Sequence, residues 1–429
     1  MIMVYLLAVL VLLAVIGVPL AMAIGSSCIS YVALNSPNLI AMLPQRIWSG
    51  SFSYVLVAMP LFIFMGELMN ESGLTEQLID FCMYLVRPIR GGLGEVNVVA
   101  SMIFGGISGS SVADTSALGS VLIPEMEKRG YSPEFSAGIT VASSTMGMVI
   151  PPSIPMIMFS MITGASVGAL FMAGAIPGLL VGVLQCIVCY VISKKRGYHP
   201  ALEKLNVHAM ISTLIRSFPA VIMPVIMVLA ISFGICTASE AGAVAVFYSL
   251  ILGFFLYRRL TVKGVIRALR KTFVSTSSIT IIIGFSTIFT WLMTMEQVPQ
   301  TVAAIFLSWN LPKWAMLLIL DALILFLGTF IDVSPAILML TPILLPIMRA
   351  IGVNDWQFGA IFIIGLAIGL VTPPVGMCLN VCNKINKMSI IDIAKGALPF
   401  IACNIVVLLA TTFIPALSNW LPTLMNYQP

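Results

Sequence analysis

Gly105-Gly106-Ile107-Ser108-Gly109-Ser110-Ser111-Val112-Ala113-Asp114 interrupts an apolar stretch that runs from about residue 92 to 127. Small, hydroxylated and acidic residues in the middle of an apolar run do not fit an unbroken membrane helix. They fit a re-entrant hairpin, in which two short helices meet at a broken tip. Lipid cannot satisfy broken backbone, so such a tip must lie in protein or water. A second apolar stretch, 314–349, is interrupted in the same way by Gly328-Thr329-Phe330-Ile331-Asp332-Val333-Ser334-Pro335.

The two stretches are copies. At a constant offset of 222, Gly106 matches Gly328, Pro124 matches Pro346, Met126 matches Met348 and Gly130 matches Gly352. Further on, Gly147-x-Val149-x-Pro151-Pro152 matches Gly369-x-Val371-x-Pro373-Pro374. A register held from hairpin to double proline marks a duplicated unit. The chain divides into a first repeat, 1–193, with hairpin 92–127 and broken helix 135–163. A cytoplasmic loop and connecting helix, 194–236, lead to a second repeat, 237–429, with hairpin 314–349 and broken helix 356–380.

Outside the hairpins the chain is a series of apolar spans. Of 429 residues, 60% are hydrophobic and 9% charged, against roughly a quarter charged in soluble domains. Runs of about 20 apolar residues are long enough to cross a bilayer. The expected class is an all-α polytopic membrane protein. Residues 1–24 read as a retained first span, because no Lys or Arg precedes Arg46.

The net charge of +5 comes from clusters that bracket spans, not from a nucleic-acid surface. Lys194, Lys195, Arg196, Lys204 and Arg216 form one, and Arg258, Arg259, Lys263, Arg267, Arg270 and Lys271 another. Both read as cytoplasmic by the positive-inside rule, with Arg87, Arg90, Lys128 and Arg129 flanking the first hairpin on the same side. The odd helix between the units then inverts the second copy, a recurrent design of secondary transporters.

Candidate chemistry lies at the breaks. Sodium, a hard cation, takes oxygen ligands, and broken helices leave carbonyls free. The first unit offers Ser108, Ser110, Ser111, Asp114 and Thr115 at its tip, with Ser143, Ser144, Thr145 and Gly147 before its double proline. The second offers Gly328, Thr329, Asp332 and Ser334, with Gly369, Val371 and Thr372. Ser and Thr within membrane helices often bond only to their own backbone or a neighbouring helix. A carboxylate there costs roughly 3 kcal/mol to insert, so Asp114 and Asp332 point more strongly to a cation, the alternative being a helix cap. Glu67, Asp321 and Glu240 are weaker cases. Pro151, Pro152, Ser153, Pro373, Pro374 and Asn380 are the candidate substrate contacts, because proline stops the helix ladder and leaves oriented backbone groups.

Other readings carry less. Cys186-x-x-Cys189 lies within a span and reads as packing, as does Gly174-x-x-x-Gly178-x-x-x-Gly182. Gly106-Ile107-Ser108-Gly109 has the form of an intramembrane serine protease motif, but such a serine needs a base. His199 and His208 lie in a polar loop, so no enzyme is expected.

The chain resembles the large membrane subunit of TRAP transporters, tripartite carriers that use a periplasmic binding protein. The resemblance covers nearly the whole chain. Its most specific parts are the segment from Gly105 to Pro124, Ile150-Pro151-Pro152-Ser153-Ile154-Pro155, Ser239-Glu240-Ala241-Gly242-Ala243-Val244, and Gly369-Leu370-Val371-Thr372-Pro373-Pro374-Val375-Gly376. It implies a sodium-coupled, elevator-type transporter in which a domain carrying both hairpins slides against a scaffold. It also implies a small four-helix membrane subunit, expected as a separate partner, and a periplasmic substrate-binding protein. The implied substrates are carboxylates, including sialic acid and dicarboxylates, and the implied location is the bacterial inner membrane. Sodium is the coupling ion and no other cofactor is expected. A channel, or a sodium-coupled anion symporter acting without a binding protein, is the alternative.

Overall fold

Backbone in lipid must satisfy its own hydrogen bonds, which favours helix wherever the chain is apolar. The computed structural model describes residues 2–86, 91–198 and 207–428, and among them there is helix and no strand. Arg87, Arg90, His199 and Lys204 lie outside the described residues. The chain opens with α1 (Ile2–Val15), α2 (Leu20–Asn35), α3 (Leu43–Ser51), α4 (Tyr54–Glu71) and α5 (Leu74–Val86). The first hairpin follows as α6 (Gly92–Ser108) and α7 (Ser111–Lys128). The broken span after it is α8 (Pro133–Ser144), α9 (Met146–Val149) and α10 (Ile154–Thr163), and α11 (Val167–Arg196) closes the unit.

After α12 (Val207–Ser232) come α13 (Ala238–Ile251), α14 (Val262–Met295) and α15 (Val298–Ser308). The second hairpin is α16 (Lys313–Gly328) and α17 (Val333–Ala350). Its broken span is α18 (Asp355–Gly369) and α19 (Met377–Asn386), followed by α20 (Ile390–Phe413) and α21 (Ala416–Leu424). The 222 offset carries the starts of α7 and α8, at 111 and 133, onto those of α17 and α18, at 333 and 355. Among the described residues, seven helical segments are long and apolar enough to cross a membrane.

Two expectations shift. The span at 1–24 is two helices, because Gly17 adopts a φ of +91° and Pro19 cannot continue the ladder. Much of the basic sequence is helical rather than loop, although Arg258 and Arg259 lie between helices. Lys194, Lys195 and Arg196 occupy the last turn of α11, where cations complement the helix dipole. α14 begins at Val262 because the Thr261 hydroxyl caps it by accepting the Gly264 N–H, so Lys263, Arg267, Arg270 and Lys271 ride on that helix.

The packing crosses the repeats. α10 lies against α17 of the second hairpin, and α19 against α7 of the first; α8 packs on α20 and α11 on α18. Both hairpins and both broken spans therefore share one interlocked core. α4 and α13 join that core, α4 packing on α6, α10 and α13; α14 packs on α2, α3, α4 and α17, with a separate apolar cluster around Ile24, Phe289 and Leu292.

Candidate functional site

The first tip is built by a short sequence of backbone devices. α6 ends where Gly109 takes a left-handed φ of +60° and returns its N–H to the Gly105 carbonyl. Ser110 then starts α7, its hydroxyl accepting the Ala113 N–H at 3.4 Å. Glycine lets this tip meet the break in α8–α10. A Cβ on Gly105 would lie 2.8 Å from the Gly147 Cα, and one on Gly106 would lie 3.1 Å from the Pro151 carbonyl oxygen.

Asp114 is buried in the first turn of α7. Its Oδ1 accepts from the Ser108 hydroxyl, while its Oδ2 lies against Gly147 and has no hydrogen-bond partner among the described residues. The buried Ser111 hydroxyl also lacks one. Thr115 donates to the Ser111 carbonyl at 2.9 Å and lies 2.8 Å from the Ser144 hydroxyl. Ser108, Ser111, Asp114, Thr115, Ser144 and Gly147 are thus brought together, with Ser110 at the edge.

Two residues of the same group turn elsewhere. Ser143 lies 2.9 Å from the Ser101 hydroxyl and 3.3 Å from Asn97 Oδ1, a network that ties α8 to α6. Thr145 accepts from Asn404 of α20 at 3.0 Å, and Asn404 Oδ1 accepts from Gln185 of α11 at 2.8 Å. The Ser153 hydroxyl donates to the Met148 carbonyl and caps α10.

The second tip keeps the plan and changes the chemistry. Gly328 approaches the α18 break closely, a Cβ there falling 3.3 Å from the Gly369 Cα. Asp332 is the N-cap of α17 and accepts the Val333 N–H at 2.8 Å. At the 222 offset it aligns with Ser110, not Asp114. Thr329 and Thr372 donate to carbonyls of their own helices, Phe326 and Ile368, each at 2.8 Å. Val371 is buried, and both Pro151-Pro152 and Pro373-Pro374 are cis. Asn380 donates its amide to the Val375 carbonyl at 2.7 Å, holding the loop after its own break.

The tips meet across a cavity of about 420 Å³. Ser108, Gly109 and Ser110 line one side, and Asp332, Val333 and Ser334 another. α4 adds Gly66, Glu67 and Asn70, and α14 adds Ser275 and Ser278. Asn70, Ser275 and Ser278 are missed by reasoning from the breaks alone. The signal for α14 was present as the hydroxyl-rich run Ser275-Thr276-Ser277-Ser278 within an apolar span. Pro151, Pro152, Pro373 and Pro374 are not among the cavity's lining residues; Pro373 borders a separate apolar groove with Thr329 and Thr372.

Residues 4–417 match the family model described as tripartite ATP-independent periplasmic transporter, DctM component. The chain is 36% identical over 408 residues to the sialic acid TRAP transporter large permease protein SiaM of Vibrio cholerae, covering 95% of each. It is 35% identical to the C4-dicarboxylate TRAP transporter large permease protein DctM of Pseudomonas aeruginosa, covering 93% of this chain and 94% of that one. The fold is similar to the crystal structure of the Alcanivorax borkumensis YdaH transporter, with a TM-score of 0.63 at 15% identity over 91% of each chain. With its apolar helices and a match across nearly its whole length, the chain belongs to the DctM family of TRAP transporters, as a multi-pass large permease of the bacterial inner membrane.

Proposed function

We propose that this permease takes up a small organic acid, a carboxylate of the sialic acid or dicarboxylate kind, coupled to sodium and moved by an elevator. The observation that carries this reading is the cavity in which both hairpin tips face α4 and α14. Its volume suits a small metabolite. Its walls come from the two hairpin tips on one side and from α4 and α14 on the other; in the elevator reading the tips slide against those two helices.

Sodium is the cation best suited to the first tip. A buried ionised carboxylate without a counter-charge costs several kcal/mol, and Asp114 Oδ2 and Ser111 Oγ are oxygens without a partner there. Thr115 and Ser144 add hydroxyls beside them. The second tip supplies Asp332 and Ser334, with Thr329 and Thr372 nearby. Ions bound at the two tips would order both walls of the cavity, favouring cargo binding and being favoured by it in turn.

A small membrane subunit and a periplasmic binding protein complete the system in this reading. Reconstitution with those partners tests it: uptake of sialic acid or succinate should require a sodium gradient. Solute conductance without partners or sodium would replace the carrier by a channel.

A further inference from the structure

The cavity has the wrong sign for an acidic cargo. The charged side chains among its lining residues are Glu67 of α4 and Asp332 of the second tip, both acidic. An organic anion taken out of water there must find positive charge. In the reading above sodium serves Asp332. Glu67 has a cation of the protein's own: the Lys271 ammonium on α14 lies 3.2 Å from Glu67 Oε2 and 3.5 Å from Glu71 Oε1.

Glu71 does not depend on that lysine. Arg267 gives its Oε2 two hydrogen bonds, from Nε at 3.2 Å and Nη2 at 2.8 Å. Lys271 is therefore shared between two acids, one already matched, and its side chain is 55% exposed. It also stands one helical turn before Ser275 and two before Ser278, the α14 residues that line the cavity. A lysine is a point charge with three donors on a flexible stem, able to change partners where a forked guanidinium is held.

Resting on the proposed uptake of organic acids, we infer that Lys271 is the group that receives the cargo's carboxylate, leaving Glu67 as cargo enters. Glu67 holds the ammonium at the cavity wall between cargoes and competes with them for it. When displaced, its carboxylate, 26% exposed, turns to water. The two members of one ion pair then have opposite effects on affinity. A pair that only ties α4 to α14 would be damaged alike by loss of either member.

Uptake of radiolabelled sialic acid and succinate into proteoliposomes, with the full chain and its partners, tests this. Lys271→Gln should raise KM about tenfold or more, the scale of one charge-assisted contact, with kcat changed less. Glu67→Gln should lower KM, and Lys271→Arg should recover part of the lost affinity. A rise in KM with both neutral variants, or a wild-type KM for Lys271→Gln, overturns the assignment. If Lys271→Gln does not assemble, Glu67→Gln decides: a lower KM supports the exchange, and an equal or higher one overturns it. Wild-type vesicles that take up neither acid under a sodium gradient sink the parent reading and this one with it. Wild-type uptake with unchanged variants sinks only the role of Lys271.

Discussion

A carboxylate inside a membrane protein has to be explained by what sits next to it. Asp114 has one oxygen occupied by Ser108 and the other without a partner, next to Ser111, whose hydroxyl is also without one. Asp332 spends its Oδ1 on capping α17. The two acids therefore do different work, although both sit at broken tips. Asp114→Asn should weaken apparent sodium affinity about tenfold or more, because a charged ligand contact is worth about 1.5–3 kcal/mol. Ser111→Ala and Asp332→Asn should weaken sodium-dependent uptake more than assembly. Sodium titrations of uptake, beside size-exclusion profiles of the purified variants, check all three. Wild-type sodium dependence in a well-assembled variant would remove that residue from the site.

Hairpins and broken spans work as elements because glycine lets backbones touch. Gly105 on Gly147 and Gly328 on Gly369 place each tip directly on a break. Gly105→Ala puts a Cβ 2.8 Å from backbone that cannot rotate away, and should cost about 1–3 kcal/mol as overpacking. Gly66→Ala is the control, since its Cβ would meet the Ile107 carbonyl oxygen at an ordinary 3.5 Å. Thermal unfolding of the two purified variants should separate them clearly. The tips and breaks were legible in the sequence because Gly, Ser and Asp are conspicuous in apolar runs and proline stops a helix. Side-chain direction was not. Nothing in the spacing says that Thr145 turns to Asn404, that Ser143 joins Asn97 and Ser101, or that Asn380 holds its own loop. Nor could the breaks reveal that α4 and α14 complete the cavity, because that contact joins segments about 200 residues apart, as between Glu71 and Arg267.

Across the whole molecule, sidedness and driving force are linked. The basic last turn of α11 and the basic start of α14 should bias those ends toward the cytoplasm, which would put the ends of the second hairpin on the periplasmic side. On a background lacking the eight native cysteines, a cysteine at Lys313 should label only from outside; labelling only from inside would reverse the topology. With that sidedness, inward sodium movement is favoured by the membrane potential at about 2.3 kcal/mol per charge per 100 mV. The chain has two histidines, His199 and His208, and neither falls within the hairpin or broken-span segments of the sequence. Coupling at the tips should therefore run on sodium, and two or more sodium ions with a monovalent organic anion would carry net positive charge inward. Proteoliposome uptake should then rise when an inside-negative potential is added to a fixed sodium gradient. Insensitivity to potential would leave sodium coupling in place and make the cycle electroneutral. Uptake in sodium-free buffer that followed an imposed proton gradient would instead remove sodium as the coupling ion and leave buried carboxyls, those of Asp114, Glu95 and Asp321, to carry protons.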